Sequence, residues 1–349
     1  MKLLELHILQ SFPVSCLNRD DMNSPKTATF GGVQRARVSS QCWKRAIREA
    51  AAAESPYFKG ERTRLIIEPL RDALQSLGLP EPEAKAKAIE IGEALATYDK
   101  ENEKKTGTLK VKTIFFTSPT EVKALAAAYV ETRDVKKAVK ALKPEHLKDA
   151  ADVAIFGRMV AADHSLTLEG AAMFSHALST HKVDNEIDFF TAVDDLNPAD
   201  DSGSGHMGTT EFNAATYYRY AAVNLSMLAD RDHLACMTAE ERKTVIRAFI
   251  NATLTAVPQA RHNSMNAGVL PAYVLGTIKE RGQPLQLINA FEKPVWSDKT
   301  ATILDRSIAG LKSHYSAMKT TWAIATSAEA AIPDVNITEF IQSLIAHVI

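Results

Sequence analysis

Apolar and polar residues alternate along several short stretches of the chain, a pattern typical of β-strands. In residues 3–9, Leu4, Leu6 and Ile8 lie on one face and Glu5 and His7 on the other, which predicts a half-buried strand. Further strands are predicted over residues 33–38, 110–116, 152–160, 209–225 and 272–278. Strand-forming segments are therefore expected along the whole chain.

Helices are predicted where a capping signal precedes an apolar stripe with helical spacing. Ser39-Ser40 precedes a helix over residues 41–53, and residues 118–121 and 238–241 are capping boxes that open helices ending near residues 130 and 256. Without insertions, the chain runs strand, helix, strand, hairpin strands, helix, strand. This is the order of α+β, ferredoxin-like domains, which RNA-recognition modules (RRMs) share.

The composition is that of a folded chain without a membrane span. Of 349 residues, 46% are hydrophobic and 24% charged, which is enough apolar material for a large core. No apolar run approaches the roughly 18 residues of a membrane helix, and no secretory signal opens the chain, so a cytoplasmic protein without a membrane partner is expected. Cys16, Cys42 and Cys236 are too few and too dispersed for a disulfide framework or zinc site, and no cofactor is predicted.

Positive and negative side chains occupy separate segments. The whole chain is nearly neutral, with 41 Lys and Arg against 42 Asp and Glu. Residues 22–48, however, hold six cations and no carboxylate, whereas residues 183–218 hold eight carboxylates and no Lys or Arg. The basic segment suits a polyanion, and the acidic segment suits a cationic protein surface such as that of a second copy.

The strongest candidate site lies on the helix that follows Ser39-Ser40. Lys44 and Arg48 are four residues apart and share one helical face, and Gln41 lies one turn before them. Free N–H groups at the helix N-terminus add to the positive potential, so the region fits a phosphate backbone. Phe30 and Trp43 lie among the cations and are candidates for stacking on unpaired bases.

Two other patterns are less specific. Asp20 and Asp21 follow the first strand, where carboxylates can hold a divalent metal for RNA cleavage, but beside Arg19 ion pairing or turn capping is the better interpretation. Residues 203–208 match G-x-G-x-x-G without the preceding strand and following helix of a dinucleotide site. They are interpreted as part of a hairpin tip over residues 197–208.

Strings of residues from one end of the chain to the other resemble the CasC family, the repeated backbone subunit of the type I-E CRISPR Cascade surveillance complex. The strings are Cys16-Leu17-Asn18-Arg19-Asp20-Asp21-Met22-Asn23, Lys26, Phe30-Gly31-Gly32, Arg37-Val38-Ser39-Ser40-Gln41, Lys44-Arg45-Ala46, Gly157-Arg158-Met159, Ile187-Asp188, Phe190-Thr191-Ala192-Val193-Asp194-Asp195-Leu196, Gly208-Thr209, Glu211-Phe212, Tyr218-Arg219-Tyr220 and Asn289-Ala290-Phe291-Glu292-Lys293. Residues 56–148 contain no matching string.

The resemblance implies a hand-shaped, modified RRM fold. Its palm would comprise residues 1–55, 109–181 and 217–349, the last with C-terminal helices; its helical finger insertion would comprise residues 56–108, or extend to 150; and its hairpin thumb would comprise residues 182–216. By the same resemblance, guide phosphates would be held by Arg19, Lys26, Ser39, Gln41, Lys44 and Arg48. Met159 would wedge against bases, and Met207 is the candidate for displacing a base at the thumb tip.

The primary hypothesis is a non-catalytic protein that forms oligomers along CRISPR RNA. Together with other Cascade subunits it would hold the guide for base pairing with target DNA. One alternative is a metal-dependent endoribonuclease on the same fold, using Asp20 or Asp21. Another is a protein-only scaffold in which both charged segments serve self-association.

Overall fold

The computed structural model describes residues 1–160, 163–193 and 204–349, without the side chains of residues 192, 193 and 204–206. Its strands are β1 (Leu3–Ser15), β2 (Thr27–Phe30), β3 (Val33–Val38), β4 (Glu61–Thr63), β5 (Phe115–Thr117), β6 (Ala172–Phe174), β7 (Ala177–Ser179), β8 (Glu186–Val193), β9 (Ser204–Asn224), β10 (Tyr273–Lys279) and β11 (Ala328–Ile332). Its α-helices are α1 (Ser40–Glu54), α2 (Ile67–Ser76), α3 (Glu81–Leu95), α4 (Lys100–Thr106), α5 (Pro119–Thr132), α6 (Val135–Lys140), α7 (Ala151–Phe156), α8 (Leu225–Leu228), α9 (Ala239–Thr255), α10 (Ile303–Thr321) and α11 (Ile337–Ile345). Short 3₁₀ helices cover Pro144–Leu147, His164–Leu166 and Ile288–Phe291.

A large antiparallel sheet organises the chain. Its strand order is β11-β10-β1-β9-β7-β3-β2, and both β6 and β8 also pair with β9. The long strand β1 lies between β10 and β9, pairing Leu3 with Lys279 on one side and with Asn224 on the other. Helix α1 follows β1, and α9 lies between β9 and β10 along the chain. The α+β prediction is confirmed, and the RRM-like palm stays a prediction.

The central strand is buried on both faces, so the prediction of a half-buried first strand was wrong. One face of the sheet packs Leu4, Leu6 and Ile8 into a core with α1 and α9. The opposite face has a second core that includes Tyr218 and Phe291. Polar residues of β1 therefore need partners inside the protein.

Those partners are supplied by neighbouring strands. The Glu5 carboxylate lies 2.7 Å from the Lys279 ammonium and accepts a hydrogen bond from the Tyr220 hydroxyl. His7 Nδ1 lies 2.9 Å from the Tyr218 hydroxyl, and burial lowers the pKa of His7 to about 3. His7 is therefore neutral near pH 7. The alternating sequence of β1 thus forms a strand that is buried on both faces.

Residues 56–150 contain a core of their own. Buried side chains of α2, α3, α5 and α6 pack together, joined by Val160 and Leu166. The strands β4 and β5 form a two-stranded sheet in the same part of the chain. This core includes residues beyond 108, as does the wider of the two predicted finger ranges, residues 56–150. The division into palm, finger and thumb stays a prediction.

The helices predicted from clear capping signals are confirmed, as is the strand predicted over residues 272–278, which is β10. Ser39, Ser118 and Thr238 each cap a helix, α1, α5 and α9 respectively. By contrast, residues 152–160 were predicted as a strand, and the structure has the buried helix Ala151–Phe156 there. A six-residue run buried on all sides has no periodicity that separates strand from helix.

The predicted hairpin is present as β8 and β9. Their register pairs Glu186 with Phe212 and Thr191 with Met207. Strand β9 begins at Ser204 instead of residue 209, so the prediction of a loop over residues 197–208 was wrong for its last part. Residues 194–203, which hold the rest of the predicted tip, lie outside the described residues. Within the described ranges, no helix is long and apolar enough to cross a membrane.

Candidate nucleic-acid interface

The start of α1 is fixed by a set of side-chain hydrogen bonds. Ser39 is the N-cap, and its hydroxyl accepts a hydrogen bond from the Cys42 N–H at 3.3 Å. The Ser39 N–H donates to the Asn18 side chain, and the Ser40 N–H donates to His176 Nδ1. The Ser39 side chain is thus occupied with capping. Its predicted RNA contact would have to come mainly from the helix end that it stabilises.

The six cations of residues 22–48 fall into two groups in the structure. Three are bound by the protein itself. Arg35 is fully buried and donates hydrogen bonds to four carbonyl oxygens, those of Phe30, Ser179, Phe291 and Glu292. Arg37 donates to the Thr27 carbonyl, and Arg45 forms an ion pair with Glu49 at 2.8 Å. These three cations have structural partners.

Lys44 and Arg48 belong to the other group. Neither has a hydrogen bond or ion pair from its side chain within the described part of the chain. The Lys44 ammonium lies 5.5 Å from the ring centre of Phe174, and the Arg48 guanidinium lies 5.2 Å from that of Phe116. Arg48 Nη1 is buried without a hydrogen-bond partner. Burial, followed by the charge of Arg62, lowers the pKa of Lys44.

The loop after β1 packs beside the start of α1. The Lys26 N–H donates to the Asn18 carbonyl, and the Arg37 N–H donates to the Lys26 carbonyl. After burial and Arg37, the charge of Lys26 contributes to lowering the pKa of His176, which contacts Ser40. The structure therefore brings Lys26 and Ser39 together. Gln41 is exposed on the first turn of the same helix.

Arg19, Asp20 and Asp21 lie on the exposed surface of this loop. Arg19 Nη1 donates to the side chain of Asn23 at 3.1 Å. Asp20 Oδ1 accepts hydrogen bonds from the N–H groups of Met22 and Ser24, which is the turn-capping role. Among the described residues, no group of three or more His, Cys, Asp or Glu is placed to hold a metal ion.

The proposed base-stacking role of Trp43 is contradicted. Trp43 is only 2% exposed, and its ring lies 3.5 Å from the guanidinium carbon of Arg219. It belongs to the core between α1 and the sheet. Phe30 is half-buried, with the Arg35 guanidinium 5.6 Å from its ring centre. Trp43 was predicted to lie beside the cations of α1, but its side chain lies on the side of the helix that faces the core.

The two predicted methionines are both exposed. Met159 is 83% exposed and directly follows Arg158, which is buried. Arg158 N–H and C=O both bond to Leu168, and its guanidinium donates to both carboxylate oxygens of Glu121. The backbone beside Met159 is thus held firmly while its side chain extends into solvent. Met207, on β9, is 62% exposed.

The β8–β9 hairpin exposes a different set of side chains on each of its two faces. Opposed residues of an antiparallel pair share a face, and alternate residues along a strand change face. Ile187 and Phe189 therefore share a face with Met207, which is opposite Thr191, and all three are more than 60% exposed. Glu186 and Asp188 lie on the other face. Glu211 lies opposite Ile187 on the first face, and Phe190 and Phe212 lie with Glu186 and Asp188 on the second, so each face carries both apolar and acidic side chains.

Arg62 and Asp152 are charged residues of this region that the sequence did not single out. The Arg62 guanidinium, on β4, lies 4.7 Å from the ring centre of Phe116, the same ring that Arg48 contacts. Asp152 is fully buried, and its carboxylate accepts from the Gly60 N–H. Burial raises the pKa of Asp152 to about 6, with Arg48 acting in the opposite direction. Neither residue lies in a recognisable motif.

Comparisons with known proteins place the chain in a family. The model of the CT1975-like protein family matches residues 4–343, so the chain belongs to this family. A solved chain described as "CRISPR RNA-guided surveillance complex, pre-nicking" is 30% identical with a TM-score of 0.82, and the match covers 99% of this chain and 100% of that one. A chain of a second "CRISPR RNA-guided surveillance complex" is 25% identical with a TM-score of 0.63, covering 99% and 98%. No functionally curated protein matches the sequence.

These matches confirm the sequence resemblance to subunits of CRISPR surveillance complexes. They extend over the whole chain, including residues 56–148, where no matching string was identified. The assignment to type I-E stays a prediction, and the individual RNA-binding residues are likewise untested by the comparisons.

Proposed function

We propose that this chain is a non-catalytic subunit of a type I-E CRISPR Cascade complex, in which several copies bind along the guide RNA. The proposal is carried by Lys44 and Arg48, two cations on one face of α1 without an ion-pair partner in the described part of the chain. A polyanion would supply the missing counter-charge. The similarity to chains of surveillance complexes makes CRISPR RNA and other Cascade subunits the expected partners.

The proposed phosphate-binding surface extends from α1 onto the neighbouring loop. Lys26 lies beside the start of α1, and Arg19 and Gln41 are exposed nearby. We assign these side chains, with the helix end that Ser39 caps, to the guide backbone. Phosphate contacts carry no sequence information, which is what a subunit that binds guides of many sequences requires. Pairing of the guide bases with target DNA would supply specificity.

The thumb hairpin, residues 182–216, is proposed to join neighbouring copies. The exposed side chains of Ile187, Phe189 and Met207, which share one face, suit displaced bases or an apolar protein surface. The carboxylates of Glu186 and Asp188, on the other face, would be repelled by RNA and suit cations of another subunit. Met159 is assigned to base contacts because it is exposed on an anchored backbone.

RNA binding by a charge-removal variant tests the proposal. Lys44→Gln combined with Arg48→Gln is compared with Arg71→Gln combined with Lys87→Gln, which removes two half-buried, ion-paired cations from α2 and α3. Each protein is titrated onto end-labelled, repeat-containing RNA at several salt concentrations. Loss of two phosphate contacts should reduce the slope of log K against log salt by about 1.4, since each contact on a single strand contributes about 0.7. The control should keep the wild-type slope.

The same samples, with magnesium or EDTA and run on denaturing gels, address the nuclease alternative. Intact RNA in both buffers is expected. Magnesium-dependent shortening that is lost in Asp20→Ala or Asp21→Ala would overturn the non-catalytic assignment. Wild-type affinity and salt slope in the Lys44 and Arg48 variant would overturn the phosphate-binding assignment.

A further inference from the structure

Two guanidinium groups from separate parts of the chain meet at one aromatic ring. Arg48 is on α1, whereas Arg62 is on β4, directly opposite Phe116 of β5 in the strand register. Their guanidinium carbons lie 5.2 and 4.7 Å from the Phe116 ring centre. The ring is a fixed platform for both, because Phe116 is 5% exposed. Cation–ring attraction holds each group without neutralising it.

Lys44 adds a third positive charge to this cluster. It lies one helical turn before Arg48, and the charge of Arg62 contributes, after burial, to lowering the pKa of Lys44. In turn, burial and the charge of Arg48 lower the pKa of Arg62. Mutual repulsion of this kind destabilises the cluster unless an anion joins it.

The protein itself supplies little counter-charge. Lys44, Arg48 and Arg62 have no side-chain hydrogen bond or ion pair within the described ranges. Asp152 is the nearby carboxylate, since its charge acts on Arg62 and Arg48 acts on it. Its Oδ1 accepts from the Gly60 N–H at 3.2 Å, and its Oδ2 is buried without a partner. Asp152 is fully buried, whereas Arg62 is exposed.

We propose that Arg62 forms, with Lys44 and Arg48, one phosphodiester-binding site that spans α1 and the insertion. This inference rests on the proposed RNA-binding function and assigns an RNA contact to residues 56–108. The ligand is a phosphodiester of single-stranded RNA. Arg62 supplies the exposed guanidinium, whose planar donors suit phosphate oxygens.

Substitution of Arg62 alone tests the inference. In Arg62→Gln, affinity for single-stranded RNA should fall about fivefold in 0.1 M salt, and the slope of log K against log salt should fall by about 0.7. Arg62→Lys, which keeps the charge, should retain most of that slope. Arg71→Gln removes an ion-paired cation of α2 at the same change in net charge and should bind as wild type does. Thermal unfolding should show only a small change in stability in Arg62→Gln, because the lost contact with the Phe116 ring and the removed repulsion from Arg48 act in opposite directions.

A double-variant cycle with Arg48→Gln separates one shared site from two independent ones. If both guanidinium groups contact the same phosphate, the second substitution should weaken binding by less than it does alone. Fully additive losses would overturn the shared site. Wild-type affinity and slope in Arg62→Gln, combined with weakened binding in the Lys44 and Arg48 variant, would overturn the role of Arg62 and leave the proposed function intact. Unchanged binding in both variants would instead overturn the proposed function.

Discussion

The buried ion pair between Arg158 and Glu121 gives the sharpest stability prediction. The two side chains are 7% and 1% exposed, and Arg158 Nη1 lies 2.8 and 2.7 Å from the two Glu121 oxygens. Arg158 also donates to the carbonyls of Leu166 and Phe116. A variant that removes one partner leaves the other charge buried and uncompensated.

We expect Arg158→Met and Glu121→Met each to lower the free energy of unfolding by about 3–5 kcal/mol, the usual cost of an orphaned buried charge. The double variant should lose much less than the sum, because neither charge is then left. A matched exposed pair supplies the control. Arg45 and Glu49 are 76% and 50% exposed, so Arg45→Met should cost less than about 0.5 kcal/mol.

Urea unfolding followed by far-UV circular dichroism measures these differences, and the slope of each transition checks that the variants unfold in the same way. Losses below about 1 kcal/mol in both single variants, or fully additive losses in the double variant, would refute the reasoning. The outcome bears on the proposed RNA surface, since Arg158 anchors the backbone next to the exposed Met159.

Three further predictions concern buried titratable groups and a close backbone contact. Burial raises the pKa of Asp152 from 3.8 to about 6, so the stability that its protonated form contributes is lost as the pH rises from 4 to 6. The free energy of unfolding of Asp152→Asn, measured by urea titration, should therefore increase relative to that of wild type by up to about 3 kcal/mol over this range. A difference between the two proteins that does not change with pH would contradict this. Burial lowers the pKa of His7 from 6.5 to about 3, so stability is lost as the pH falls from 6.5 to 3. The melting temperature of His7→Gln should depend less on pH over this range than that of wild type. An equal dependence in the two proteins would contradict this role of His7. Gly31 and Gly32 both have positive φ, but only at Gly31 would a Cβ meet the Glu292 carbonyl, at 1.7 Å; Gly31→Ala should therefore unfold at lower urea than Gly32→Ala, and equal midpoints would disprove the contact.

Local signals accounted for the elements that the sequence predicted correctly. A cap such as Ser39 or Thr238 acts within four residues, so its consequence is visible in the sequence. The hairpin faces are equally local, because alternation over residues 186–193 assigns Ile187 and Phe189 to one side. In contrast, burial of Glu5 and His7 depends on side chains more than 200 residues away, and the local alternation of β1 gave no sign of it.

The same distinction separates the six cations of residues 22–48. They are equivalent in a count of charge, yet Arg35 bonds to carbonyls 144 and 256 residues further along the chain. Only the fold reveals that this arginine joins the Phe30-Gly31-Gly32 string to the Phe291-Glu292 string. A cation used in this way is not free to bind RNA.

Lys44 and Arg48 were identified from the sequence because their spacing on one helix is a local property. Arg62 was missed because it reaches Phe116, the ring that Arg48 contacts, from a three-residue strand in the predicted insertion, a segment with its own core. A shared site across two cores ties the position of the insertion to that of α1. If Arg62 binds the phosphate proposed here, guide RNA would stabilise this arrangement, and its binding would draw the insertion and the helix onto the same nucleotide.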